Sequence, residues 1–277
     1  MSEANIFDQM SVLVAKEIPG FSVRYKNESW LMKLFGLLAK PFNPTFMTGF
    51  ITTLYPVVYF PDRAYVTRFP DRSAEILAHE FVHLWDAHRH RVTFTLGYMV
   101  PQILAVPLIA LYLFLGSWIP GLALAATVPL VMLMGLISSV KVRQIGSIAC
   151  LALGLGVYLG LAIWLSGWWA FLAAGALLPM GPWYAPFRAA SEYRGYAMGI
   201  AWRYWLSHKV DEGYLGHVAA NFTGFNYFRM DPKKSRVQNK LGKAVASCVS
   251  GDILRGEDNS PYKEIYEFLE FKGLIHV

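Results

Sequence analysis

The sequence is poor in cysteine and in charged residues. It has two cysteines in 277 residues, Cys150 and Cys248, too few for the disulfide framework of a small secreted domain. Charged residues make up 16% of the chain, compared with about 25% in an average soluble domain, and hydrophobic residues make up 55%. Residues 1–20 lack the apolar core of a cleavable signal peptide. This balance predicts a reduced, cytoplasm-facing protein that places apolar segments in a lipid bilayer.

Two long stretches carry no charged side chain, residues 92–140 and 144–187. One crossing of a bilayer takes about 20 apolar residues, so each stretch fits two spans joined by a turn. Turn-forming residues with tryptophan lie within each stretch, at 116–121 and 166–169. The pattern predicts about four transmembrane helices. The alternative is two helices with long buried or re-entrant segments.

Basic residues lie before, between and after the two uncharged stretches, in three clusters: Arg89 and Arg91, Lys141 and Arg143, and Arg188 and Arg194. By the positive-inside rule, all three clusters face the cytoplasm. This placement accounts for the net charge of +6 without a nucleic-acid partner. We expect an integral, multi-pass membrane protein, in a bacterial inner membrane, whose flanking regions meet on the cytoplasmic face and build the active site there.

The region before residue 92 contains two segments with helical spacing of apolar residues, 5–18 and 28–39. Residues 49–60 are rich in β-branched and aromatic side chains and predict a strand. Pro56 places that strand at a sheet edge, because proline cannot donate a ladder hydrogen bond. A further helix is predicted at about 72–90, with Asp71 or Ser73 as its N-terminal cap.

This last helix contains the sequence His79-Glu80-Phe81-Val82-His83. Histidines four residues apart lie on one face of a helix, where both imidazoles can bind one zinc ion. Glu80 can take a proton from a water activated by zinc and later deliver it to the leaving amine. The motif predicts a Zn²⁺ site with His79 and His83 as ligands and Glu80 as the catalytic base. The alternative is a pair of surface histidines.

A catalytic zinc site needs a third protein ligand and one open position. Glu192 is the first candidate, because it follows the second uncharged stretch and would begin a helix that returns to the cytoplasmic side. Glu75, one turn before His79, and Asp86, one turn after His83, are weaker candidates. Either could instead orient an imidazole.

These residues resemble the gluzincin membrane peptidases, the group of the HtpX-type heat-shock protease and the CAAX prenyl endopeptidase. In those families a transmembrane hairpin separates the HExxH helix from a glutamate ligand in a second motif, roughly E-x-x-A-D-x-x-A. Gly195 and Gly199 match its small positions after Glu192, and Tyr196 stands in the position of its aspartate. The resemblance covers residues 74–90 and 188–200. It implies that the predicted edge strand binds an extended protein or peptide substrate through its backbone.

The same mechanism requires a donor that stabilises the oxyanion formed from the substrate carbonyl. Four residues in or after the predicted third-ligand helix could supply it: His208, His217, Tyr196 and Arg203. The sequence does not select among them.

The predicted fold is an α-helical membrane protein with a zincin-like α+β catalytic domain. Residues 1–91 and 188–277 are expected to form its two cytoplasmic halves. Residues 92–187 would form the transmembrane region between the HExxH helix and the third-ligand helix. The predicted function is a membrane-embedded zinc endopeptidase that cleaves membrane-associated or cytoplasmic-side proteins, and the oligomeric state stays open.

Two other functions fit parts of the sequence. A zincin-like scaffold without activity could serve as a membrane binding or assembly module, which would agree with Tyr196 in place of the aspartate. A membrane di-iron oxidase or desaturase would use histidine boxes, and His79, His83, His88 and His90 form one histidine cluster. Those enzymes use more histidines than the seven of this chain.

Overall fold

The computed structural model describes residues 5–40, 43–99, 185–224, 229–256 and 260–275, and scattered helical positions between 145 and 164. The chain forms two compact units. The first consists of Met1–Glu28, Ile51–Tyr98 and Tyr184–Val277, and the second of Ser29–Phe50 and Met99–Trp183. All candidate site residues named above belong to the first unit.

The first unit begins with helix α1 (Ile6–Glu17), which confirms the helix predicted at 5–18. Strand β1 (Ser22–Tyr25) and a 3₁₀ turn (Lys26–Glu28) follow. Strands β2 (Thr52–Leu54) and β3 (Val57–Phe60) complete a three-stranded sheet in the order β1-β3-β2. The central strand β3 runs parallel to β1 and antiparallel to β2.

The segment predicted as one strand at 49–60 is instead a hairpin. Pro56 lies in the turn between β2 and β3, where its missing N–H interrupts no ladder hydrogen bond. β2 forms an edge of the described sheet, whereas β3 is central and buries Val58 and Phe60. The predicted edge position therefore belongs to the first half of the segment only.

Helices α4 (Arg63–Arg68), α5 (Pro70–Arg89) and α6 (Arg91–Met99) follow the sheet. α5 confirms the helix predicted near 72–90. It begins at Pro70, a residue that suits the first turn because the N–H groups there have no partner within the helix. The predicted caps are wrong, since Asp71 lies inside the first turn and Ser73 is buried within the helix.

The first unit ends with four helices: α7 (Pro186–Ser207), α8 (Glu212–Thr223), α9 (Lys234–Val249) and α10 (Pro261–Phe271). α5 packs mainly against α7 and α1. The core between these three helices includes the fully buried side chains of Met10, Leu77, Phe81 and Met198. Removing this apolar surface from water holds α5 and α7 side by side, and these are the helices that carry the predicted ligands.

The second unit contains helix α2 (Trp30–Ala39) and the short helix α3 (Phe46–Gly49). α2 confirms the helix predicted at 28–39, and the Ser29 hydroxyl caps its N-terminus by accepting a hydrogen bond from the Met32 amide. A Cβ at Gly36 would collide with the Met47 side chain, so glycine allows the two helices to approach closely.

No helix in the described parts of the chain is both long enough and apolar enough to cross a bilayer. α5 and α7 have the length, but they carry charges such as Glu75 and Arg203 along their course. This finding overturns the predicted fold class of a multi-span α-helical membrane protein, and with it the predicted integral-membrane location. The uncharged stretches indicated apolar composition but did not fix the length of any helix. The four predicted spans fall mostly outside the described residues.

Candidate metal centre

Helices α5 and α7 bring the three predicted ligands together. His79 and His83 lie one turn apart on α5, and Glu192 lies near the start of α7. The Nε2 atoms of the two histidines are 3.1 Å apart. Glu192 places Oε2 3.6 Å from His79 Nε2, and Oε1 3.8 Å from His83 Nε2. The three side chains are 15%, 6% and 5% exposed, so their ligating atoms converge in a space largely shielded from solvent.

The distances between these atoms, 3.1, 3.6 and 3.8 Å, lie within a few tenths of an ångström of those around a tetrahedral zinc ion. Zn–N and Zn–O bonds of about 2.0–2.2 Å place neighbouring ligand atoms roughly 3.3–3.6 Å apart in a tetrahedron. Among the described residues, His79, His83 and Glu192 form the group of potential ligands, and one atom from each lies within 4.8 Å of the others. Two histidines and one glutamate are a known ligand set of catalytic zinc sites, which leave the fourth position open.

Burial and mutual charge set the protonation of the three ligands. Burial alone would raise the pKa of Glu192, but its interactions with His79, His83 and the Tyr98 phenol lower it to about 2. Burial lowers the pKa of His83 against the opposing charge of Glu192. Burial also disfavours a charge on His79, but the surrounding carboxylates outweigh it and raise the His79 pKa. Ionised Glu192 and neutral His83 suit metal binding, whereas a proton on His79 must be displaced.

Two further side chains contact the ligands and were not assigned a role from the sequence. The Ser191 hydroxyl lies 3.1 Å from Nδ1 of His83, on the side of the ring away from the ligating nitrogen. The Tyr98 phenol donates a hydrogen bond of 2.6 Å to Oε1 of Glu192. Such contacts fix the orientation of metal ligands. Ser191 directly precedes the predicted ligand in sequence, but Tyr98 lay inside a predicted membrane span and gave no signal.

Tyr196 stands where the resembling families have an aspartate, and it contacts His79 through its aromatic ring. Its ring packs edge-on against the His79 ring, with centroids 4.8 Å apart. Its hydroxyl accepts a hydrogen bond of 3.0 Å from the Asn221 amide. Tyr196 therefore restrains His79 by packing.

The carboxylate of Glu80 accepts a hydrogen bond from a residue of the β-sheet. Thr53 on β2 donates a hydrogen bond of 2.6 Å from Oγ1 to Oε2 of Glu80. Lys26, in the 3₁₀ turn after β1, is fully buried. Burial lowers the pKa of Lys26 to about 7, although the negative charge of Glu80 acts to raise it. Thr53 and Lys26 are polar neighbours of the predicted base that sequence reasoning missed, because only the folded sheet brings them near α5.

Thr53→Val should release Glu80 while preserving the shape of the side chain and the β propensity of the strand. A hydrogen bond to a charged group contributes about 1.5–3 kcal/mol, so we expect the peptidase activity predicted from the sequence, measured with a quenched fluorescent peptide, to slow by roughly 10–100-fold. Zinc content should stay at the wild-type level. Thr52→Val, at the adjacent position of β2, is the matched control. Equal losses in both variants would contradict a specific role for Thr53.

The weaker ligand candidates form ion pairs instead. Glu75 accepts two hydrogen bonds from Arg203, of 2.7 and 2.8 Å. Asp86 lies 2.8 Å from the Arg194 guanidinium. Both pairs join α5 to α7, and in the described structure neither carboxylate belongs to the group of potential metal ligands. Their contacts indicate a role in holding the two helices together.

The candidates for oxyanion stabilisation are dispersed. Tyr196 contacts a predicted ligand, His79, through its ring. Arg203 is engaged by Glu75. His208 is exposed at the C-terminal end of α7, and His217 is exposed on α8. Among the described contacts of these four candidates, only that of Tyr196 reaches one of the three predicted metal ligands.

The remaining histidines of the predicted cluster lie apart from the three ligands. His88 and His90 are exposed at the end of α5. His88 Nδ1 lies 2.9 Å from the Tyr55 hydroxyl, which joins the end of α5 to the turn after β2. The described group of potential ligands thus contains two of the four clustered histidines.

Comparison with known protein families, curated proteins and solved structures gives no match to this chain. The arrangement of His79, Glu80, His83 and Glu192 is therefore the observation on which a function can be based.

Proposed function

We propose that this protein is a zinc-dependent peptidase whose metal is held by His79, His83 and Glu192 and whose catalytic base is Glu80. The strongest support is the convergence of Glu192 on the two histidines, with spacings that suit one tetrahedral ion. Two histidines four residues apart occur on many helices. A buried carboxylate that faces both of their Nε2 atoms is a rarer arrangement, and it presents three ligands of the types that zinc prefers to one point.

The residues around the centre have separate tasks in peptide hydrolysis. When bound, zinc supplies Lewis acidity that polarises a substrate carbonyl and lowers the pKa of a water molecule to about 7. Glu80 removes the proton from the attacking water and delivers it to the leaving amine. The Thr53 hydroxyl keeps the Glu80 carboxylate in position.

Strand β2 offers a place for the substrate. Its outer edge pairs with no other strand in the described part of the chain. An extended peptide can add to such an edge through backbone hydrogen bonds, which recognise any sequence. Because Thr53 belongs to β2 and bonds to Glu80, a peptide on this edge would lie beside the base.

Glu192→Ala tests the metal site directly. Purified wild-type protein should contain about one zinc ion per chain, as expected for three protein ligands and one open position. Removing the buried carboxylate should lower zinc affinity by at least about 100-fold, the upper end of the loss seen when only a supporting residue is removed. Plasma mass spectrometry and competition with a chromophoric chelator measure both quantities.

Asp86→Ala is the matched control for this substitution. It removes a carboxylate that pairs with Arg194 rather than with the histidines. We expect a lower melting temperature and unchanged zinc content. Full zinc occupancy in Glu192→Ala would show that the assigned third ligand is wrong, and about two iron atoms per chain would favour the di-iron alternative.

A further inference from the structure

Among the hydrogen bonds that the structure describes, the one from Tyr98 is the shortest to any of the three proposed ligands. Its phenol donates to Oε1 of Glu192 at 2.6 Å, which lies in the range of charge-assisted O–H···O⁻ hydrogen bonds. The two residues lie 94 positions apart in the sequence. The role of Glu80 as a general base does not require this hydrogen bond. The contact between the Tyr98 phenol and the buried Glu192 carboxylate therefore needs a separate explanation.

The phenol is held in place from several sides. The Phe94 ring stacks on the Tyr98 ring with centroids 5.7 Å apart, and the His83 ring meets it edge-on at 6.1 Å. Arg188 places its guanidinium 5.3 Å from the centre of the Tyr98 ring, and its Nε donates to the Tyr98 carbonyl at 3.1 Å.

The two oxygens of Glu192 face different histidines. Oε2 lies 3.6 Å from His79 Nε2, and Oε1 lies 3.8 Å from His83 Nε2. A carboxylate placed so evenly could give both oxygens to one zinc ion. Two histidines and a bidentate glutamate would then take four positions, so a bound water or substrate carbonyl would make the centre five-coordinate instead of four-coordinate.

We propose that Tyr98 is a positioning residue that engages Oε1 of Glu192, so that Glu192 binds the metal through Oε2 and one coordination position stays open. This inference rests on the proposed metal site. Tyr98 then determines whether the centre can accept a water or a substrate carbonyl, rather than whether it binds metal at all.

Cobalt(II) substitution of the full chain tests the proposal, because visible absorption is strong for four-coordinate cobalt and weak for higher coordination numbers. Wild-type protein should give the intense four-coordinate spectrum. Tyr98→Phe keeps the ring that packs on Phe94, His83 and Arg188, so the fold should persist. Its cobalt spectrum should lose intensity, and its zinc form should cleave a quenched fluorescent peptide about 10–100-fold more slowly, at unchanged zinc content.

Tyr262→Phe is the matched control. Its phenol donates to the Arg194 carbonyl of the same helix α7 at 2.8 Å, and none of its described hydrogen bonds reaches a proposed ligand. Its cobalt spectrum should match the wild type. A Tyr98→Phe spectrum identical to wild type, or a wild-type spectrum of higher coordination number, would overturn the role of Tyr98 alone. Wild-type protein that binds neither cobalt nor zinc would overturn the metal site itself.

Discussion

Glu80→Gln is expected to slow peptide cleavage by about 10²–10⁴-fold while leaving zinc bound, since a general base typically contributes a factor of this size. Glutamine preserves the size of the side chain and can still accept the hydrogen bond from Thr53. It cannot take a proton from the attacking water. The measurement is the turnover of quenched fluorescent peptides together with zinc content for the same protein preparation.

Glu75→Gln is the control on the same helix. Its carboxylate binds Arg203 and is raised in pKa by burial, although Arg203 opposes this shift. We expect a lower melting temperature with zinc content and turnover close to wild type. A Glu80→Gln protein with full activity would exclude the proposed mechanism. Zinc bound by wild type without cleavage of any peptide tested would favour the alternative of a catalytically inactive binding module.

Local spacing accounts for part of the predicted group of metal ligands. The i, i+4 relation of His79 and His83 depends only on helical geometry, and α5 has that geometry. Glu192 could be nominated because a resembling motif surrounds it, and α7 places it against both histidines. The relation of the two histidines is determined along one helix, whereas the contact of Glu192 with them depends on the packing of α7 against α5.

The contacts that orient the proposed ligands and the proposed base could not be predicted from the sequence in the same way. Thr53 and Glu80 lie 27 positions apart, and their contact exists only because the hairpin of β2 and β3 packs beside α5. Tyr98 and Glu192 lie 94 positions apart, at opposite ends of the region that the sequence predicts to span a membrane. Apolar composition indicates how much surface is buried from water, but it does not predict which pairs of side chains are in contact in the fold.

The prediction of a hairpin as a single strand has a related cause. Residues 49–60 all favour extended backbone, so propensity gives no internal boundary. The turn at Pro56 is set by pairing of Thr53 with Val58 in the folded sheet. The consequence is functional, because the hairpin places Thr53, rather than the middle of a longer strand, beside Glu80.

Gly195→Ala should lower zinc affinity by at least about 100-fold without unfolding α7. A Cβ at this position would lie 2.5 Å from Nε2 and 2.6 Å from Cε1 of His79, closer than real side chains approach. The His79 ring has little room to move, because the rings of Tyr196 and His83 pack against it at 4.8 and 4.9 Å. The atom displaced is therefore the proposed ligand itself.

Helix propensity predicts that Gly195→Ala stabilises α7 while the steric clash lowers zinc affinity. The effect on stability and the effect on zinc binding therefore have opposite signs and can be measured separately. Alanine favours a helix over glycine by about 0.8–1 kcal/mol, so a loss of zinc cannot be ascribed to a weakened α7. Gly242→Ala in α9 is the control, since its Cβ would meet no atom within 4 Å. It should raise the melting temperature slightly and leave zinc affinity unchanged. Wild-type zinc affinity in Gly195→Ala would mean that the His79 ring can shift without cost, and the tight packing of α7 against the ligand would then have no bearing on metal binding.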